Sequence, residues 1–262
     1  PPNNHITGSI TLNYSSGALN GLPADYPGAG TRRLPALYTG PVSLNDTHTL
    51  AQLKTINDQT NNTITLTSYG EALSGSTADV KAALDGTFAS TYSGNVVLDD
   101  ADVTNITATD ITTIEGDTSG TITVSNNINI KGTATEVAAA VADVNTFTDT
   151  PTAELSSNHD LAELVAINNA LSGTLTLNDV NVALTGSAAD IKAALAGTFA
   201  AGYTGNVTIN DANGEGIAAT DITAIEAATT GTVTVSNNIK LTGTSAEIAA
   251  AVADVNTFSG TP

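Results

Sequence analysis

The sequence specifies a β/α repeat solenoid about eight coils long, on the strength of a long echo, a shorter grammar inside it and a thin aliphatic composition. Residues 41–151 and 152–262 align without gaps at an offset of 111 positions (152 − 41). Lys81 falls on Lys192, Phe88 on Phe199, Asp110 on Asp221, Glu136 on Glu247 and Pro151 on Pro262. From residue 74 onward roughly two thirds of the aligned positions are identical. A fixed period of this kind marks a repeat architecture, in which each unit buries its apolar side only against its neighbours.

Within each block four units share one grammar. An alternating apolar strand is followed by a pair of small polar residues and then by a short helix. Strand starts fall at Pro41, Thr63, Asn95 and Thr121, and again at Thr152, Thr174, Asn206 and Thr232. Alternation turns Ile64 and Leu66 inward and Thr63 and Thr65 outward, the period of two of a half-buried strand. Second alternating runs follow at Ile128/Ile130, Val182/Leu184 and Ile239/Leu241. Helix starts are signalled by Thr133-x-x-Glu136 and Thr244-x-x-Glu247, which read as capping boxes, and by the shorter Ser76-x-x-Asp79 and Ser187-x-x-Asp190. Apolar residues then recur at helical spacing, as in Val137/Val141/Val144 and Ile248/Val252/Val255. A helix of two or three turns with one apolar stripe cannot stand alone. Stacking strand on strand and helix on helix resolves this, with a parallel sheet along one wall and helices along the other. Two compact α/β domains are the competing organisation, disfavoured because the junction Thr148–Thr152 is no longer than the turns inside each block.

Three segments result: a divergent N-terminal cap or assembly segment (1–40), super-repeat one (41–151) and super-repeat two (152–262). The first contains Pro1, Pro2, Pro23, Pro27 and Pro35, both arginines (Arg32 and Arg33) and Tyr14, Tyr26 and Tyr38. Its stretch Ile6–Leu12 still reads as a strand. The last coil ends at Thr261-Pro262 with no polar cap, so that either more chain or another subunit is expected to cover it. The absence of an initiator methionine fits a processed or excerpted chain.

Composition excludes several functions. Hydrophobic residues make up 40% but aromatics only 4%, and Cys, Met and Trp are absent, so many thin layers of Ala, Val, Ile and Leu form the core. Without cysteine there is no disulfide, thiolate metal site or cysteine nucleophile. A net charge of −19 opposes nucleic acid and anionic lipid alike. No apolar run reaches the roughly 18–20 residues of a membrane helix. Low charge density with Thr, Asn and Gly richness favours an extracellular or cell-surface location.

The polar pairs after the strands form the leading candidate site. They are Asn45-Asp46, Thr67-Ser68, Asp99-Asp100 and Ser125-Asn126, then Ser156-Ser157, Asn178-Asp179, Asn210-Asp211 and Ser236-Asn237. Stacked, they make either a ladder of turns bonding nearby backbone or a column of hard oxygen ligands for calcium. The turn ladder is favoured, with Asp99, Asp100, Asn210 and Asp211 the first candidates as calcium ligands. Thr-x-Thr pairs at 63/65, 121/123, 174/176 and 232/234 are similar to the face of ice-binding β-solenoids, although strand propensity accounts for them. His48 and His159 are repeat-aligned and read as surface residues near helix starts. Phe88, Phe147, Phe199 and Phe258 read as plugs where helices turn back. No hydrolase, P-loop, dinucleotide or zincin motif occurs, so the chain is read as non-enzymatic.

The phrases Gly243–Val252 and Thr230–Asn238 resemble repeat regions of very large secreted bacterial cell-surface proteins, notably cyanobacterial ones. The resemblance implies an extracellular structural or adhesive array and carries over no catalytic residue. The expected function is a structural filament, sheath or surface layer assembling head-to-tail with itself, residues 1–40 of one subunit covering the terminal coil of the next. The alternative is a calcium-stabilised adhesin segment binding a glycan or surface.

Overall fold

The computed structural model describes residues 19–21 and 40–260. The remaining features of 1–40, including the Ile6–Leu12 run, the arginines and the tyrosines, lie outside the described residues, as do 261–262. The protein is α/β, with eight helices among the described residues: α1 (Leu50–Asn57), α2 (Thr77–Leu84), α3 (Ala108–Asp117), α4 (Ala134–Asp143), α5 (Leu161–Ala170), α6 (Ala188–Leu195), α7 (Ala219–Ala228) and α8 (Ser245–Asp254). All strand pairs are parallel.

The helices start where their caps dictate. Thr133 and Thr244 close full capping boxes with Glu136 and Glu247, and Thr49–Gln52 and Asp160–Glu163 do the same for α1 and α5. At α2 and α6 only half of that device forms. Ser76 and Ser187 accept from the backbone N–H of Asp79 and Asp190, whose shorter side chains make no return bond to the cap backbone. Each helix buries one stripe, such as Val80, Ala83 and Leu84 on α2 and Ala134, Val137, Ala140 and Val141 on α4. The alanines let the short helices lie close to the strands, whose inward residues Ile64, Val96, Leu98, Ile122 and Ile130 complete each layer.

The strands depart from the single wall expected from sequence. They form five sheets of three, five, four, two and four strands. Val42 pairs with Ile64, but Ile64 then meets Phe88 rather than Asn95, and Val96 pairs with Leu73. The reason is a mismatch of spacing. Paired strands recur every 22–26 residues (42→64, 73→96, 96→122), whereas helix starts recur every 26–31 (50→77, 77→108, 108→134). A sheet therefore slips in phase against the helices. The sheet that opens at Leu73–Gly75, just before α2, ends at Thr146–Phe147, just after α4, where a further step would run into helix. Its counterpart opens at Leu184–Gly186 and ends at Thr257–Phe258. The long second unit of each block supplies the extra strand that opens a new sheet.

Three of the four phenylalanines sit in these sheet-ending strands, and Phe88 ends its sheet as an isolated bridge. All four are partly buried against the core. Pairing runs without a break across the block junction, since Thr152–Leu155 lies in register beside Asn129–Gly132. Leu19–Gly21 pairs with Val42–Leu44 in the register that Ile130 takes with Ala153, 111 residues on. This part of the N-terminal segment thus continues the ladder.

One backbone feature separates the two blocks. Val103 adopts φ +57°, where its counterpart Gly214 has φ +82°. Both donate their N–H to the next unit, to Asn127 and Asn238 carbonyls. The left-handed conformation disfavours a β-branched residue by roughly 1–2 kcal/mol, and Val103 is 82% exposed, so no packing offsets that cost. Val103→Gly is expected to stabilise the protein by about 1 kcal/mol and Gly214→Val to destabilise it by a similar amount, read from urea unfolding midpoints.

Candidate functional site: turn columns and buried histidine–tyrosine pairs

The polar pairs fall at the corners between strand and helix, one unit above another. Their second members reach back across the unit boundary. Asp100 accepts from Thr77 N–H at 2.8 Å and from the Thr77 hydroxyl at 2.6 Å. Asp211 accepts from Ala188 N–H at 2.8 Å, and the Ser157 hydroxyl from Ala134 N–H at 3.0 Å. These three donors are the first helical N–H groups of α2, α6 and α4, which no intrahelical carbonyl can satisfy. Each of these helices is thus capped twice, once by its own serine or threonine and once from the unit that follows. Asp46 occupies the position equivalent to Ser157, and its Oδ1 is buried with no hydrogen-bond partner. The residue that it would face by the repeat, Pro23, lies outside the described residues.

Further bonds tie the corners together. Asn126 Nδ2 donates to Asp100 O at 2.7 Å and Asn237 Nδ2 to Asp211 O at 2.8 Å, while Ser125 and Ser236 hydroxyls donate to Leu98 O and Ile209 O at 3.1 Å. Asp99 is exposed and accepts from the Ser74 hydroxyl at 3.1 Å. Asn210 uses its backbone, donating to Gly186 O and accepting from Asn237. The four proposed calcium ligands therefore form two pairs four units apart, bonded to the chain itself. Among the described residues no three His, Asp or Glu side chains converge to hold a metal. Asp100→Ala is expected to cost about 1–2 kcal/mol through the lost cap, with urea midpoints of the parent protein unchanged by EDTA or added calcium.

Lysines bridge the same boundaries. Lys81 meets Asp110 at 2.5 Å and Lys192 meets Asp221 at 2.6 Å, joining α2 to α3 and α6 to α7. Lys54 meets Asp79 between α1 and α2, and Lys131 meets Glu154 at 2.6 Å between neighbouring strands. All are partly exposed, so each adds little by itself. Their common direction, lysine to the acid of the next unit, favours one order of stacking.

Sequence reasoning missed the most buried polar group. His48 and His159 are 6% and 4% exposed, not surface residues. Each Nε2 lies 3.1 Å from a tyrosine hydroxyl 44 positions on, Tyr92 or Tyr203. The tyrosine hydroxyl in turn donates to a backbone carbonyl, Glu71 O at 2.6 Å or Val182 O at 2.5 Å. A hydroxyl has one proton, so its oxygen accepts from Nε2–H and the imidazole is the Nε2–H tautomer. Nδ1 is left as a buried lone pair without a partner in both rings. His48, Glu71 and Tyr92 follow one another by 23 and 21 residues, close to the strand spacing, so one tyrosine side chain spans three successive units. Burial lowers both histidines below 6.5, against the pull of nearby carboxylates, and burial pushes both tyrosine hydroxyls well above 10. The signal available in the sequence was the matched period: the histidines and the tyrosines each recur at 111.

The four Thr-x-Thr pairs fall in four different sheets, so they do not form one flat array. No helix among the described residues is long and apolar enough to cross a membrane. The comparisons found no matching family model, no matching curated protein and no matching solved structure.

Proposed function

We propose that the chain is a structural β/α solenoid, a segment of an extracellular or cell-surface filament, sheath or layer, and that it is not an enzyme. The observation that carries this reading is the unbroken stacking from Leu19–Gly21 to Thr257–Phe258, in which strands pair only with those of adjacent units and each helix packs on the next. Polar side chains in the corners are spent on caps and backbone carbonyls of neighbouring units, which leaves the protein built for pitch and order rather than for chemistry. The slip of sheets against helices would wind the helical wall around the solenoid.

Head-to-tail self-association is part of this proposal. On α4, Val137 and Val141 are 0% and 4% exposed beneath α5, whereas on α8 the equivalent Ile248 is half-buried and Val252 is 49% exposed. A second copy presents the kind of apolar unit that covers this stripe elsewhere in the chain, and such a heterologous contact propagates. Electron microscopy and sedimentation of the purified protein, with and without EDTA, should give end-to-end rods in both conditions, and Val252→Glu should reduce them to monomers. Monomeric rods from the parent protein at high concentration would refute the assembly, and rods seen only with calcium would favour the adhesin.

A further inference from the structure

The two His–Tyr–carbonyl chains join units that are not adjacent, and this gives them a role beyond that of stacked strands. Tyr92 comes from the segment after α2, passes the Glu71 carbonyl of the intervening unit and ends on His48, the residue before the N-cap of α1. Tyr203, Val182 and His159 repeat the arrangement at the start of α5. Both tyrosines are fully buried, and each ring also packs on a phenylalanine, Phe88 or Phe199. The chains are complete only when the imidazole is neutral. A second proton must go to Nδ1, which is buried and lacks an acceptor in both sites. The cation would also stand at the N-terminus of α1 or α5, the positive end of the helix dipole.

We propose that the two histidine–tyrosine chains are acid-sensitive staples, which hold three units together when the imidazoles are neutral and release those junctions when they are protonated. The groups facing them differ. Around His48 they are Asp46, Glu71 and the Tyr92 hydroxyl; around His159 they are Asp160, Glu163, Asp179 and the Tyr203 hydroxyl. The carboxylates favour the cation in both sites, yet burial outweighs them and both rings titrate below 6.5. The sign follows from linkage. With the folded value below the unfolded one, the unfolded chain binds the extra proton first. Stability is therefore complete above the ordinary histidine value and declines as pH falls through the window beneath it. The device goes beyond the structural role, since it makes unit cohesion depend on the acidity of the surroundings.

The test uses the intact protein. Proton NMR of the two imidazoles gives their titration, and amide hydrogen exchange, corrected for intrinsic rates, follows Ser93, Gly94, Thr204 and Gly205, which donate across the same junctions. Between about pH 7.5 and pH 5.5 each staple should weaken by up to about tenfold per pH unit below the ordinary histidine value, with exchange at those amides accelerating in step. The His48→Gln/His159→Gln variant retains an N–H donor without a titrating group, and its junction amides should exchange equally at both pH values. Histidines that titrate at or above the ordinary value would overturn the proposal. So would protection that survives their protonation, or an equal loss of protection in the glutamine variant, which would assign the effect to carboxylates. If that variant does not fold, the parent protein's two measurements still decide the matter.

Discussion

Gly94→Ala is expected to destabilise the protein by roughly 3 kcal/mol or more, and Gly205→Ala to match it. A β-carbon at position 94 would fall far inside contact distance of the Glu71 carbonyl oxygen and 2.8 Å from Tyr92 Cε1. At position 205 it would meet the Val182 carbonyl and Tyr203 in the same way. Neither neighbour can yield. The carbonyl is held by the tyrosine hydroxyl, and the tyrosine ring is enclosed by the core. The next unit also leans on Gly94, whose carbonyl accepts from the Thr118 hydroxyl at 3.0 Å. Gly116→Ala is the control. Nothing lies within 4 Å of its added carbon, and Ala227 stands at the equivalent place in α7. That change should stabilise the protein by about 0.5–1 kcal/mol through helix propensity. Urea unfolding of the three variants would test the contrast directly, because it predicts opposite signs for one chemical substitution.

Tyr92→Phe should cost about 2–3 kcal/mol, since removing one hydroxyl leaves two buried groups unsatisfied, the Glu71 carbonyl and His48 Nε2–H. The ring remains, so no cavity contributes. Tyr203→Phe should cost a similar amount, and the double variant should show the sum, the sites being four units apart with no shared partner. Tyr69 offers a milder comparison. Its hydroxyl accepts one bond, from Leu66 N–H at 3.1 Å, in a half-exposed setting. Tyr69→Phe should therefore shift the midpoint much less. Equal shifts for Tyr69→Phe and Tyr92→Phe would show that the three-unit chain contributes nothing special.

Local features were legible in the amino-acid sequence to the extent that they are decided locally. Thr133 and Glu136 lie three residues apart and satisfy each other's backbone, so the start of α4 could be read directly. The inward Ile64 and Leu66 followed from alternation. The partners of the strands did not. Ile64 could face Asn95 or Phe88 on pattern alone, and only the distance that a parallel step requires, 22–26 residues here, selects Phe88. The polar corners were found but their use was ambiguous. Asp100 carries the same residue type whether it binds a cation or caps a helix, and the choice rests on Thr77, 23 positions earlier. Histidine misled because its environment is made by a tyrosine 44 residues away, which no local window contains.

By itself the sequence determined the period of 111, the eight helices with most of their starts, the inward faces and a strongly acidic exterior. These depend on contacts within a few residues or on composition. Only the tertiary structure decided which strands pair, where each sheet opens and ends, and that the second polar residue of a corner caps the helix one unit below. It also decided that the two histidines are buried. The physical reason is common to all of these. Each depends on groups brought together from 22 to 44 residues apart, and their juxtaposition exists only after the units have stacked.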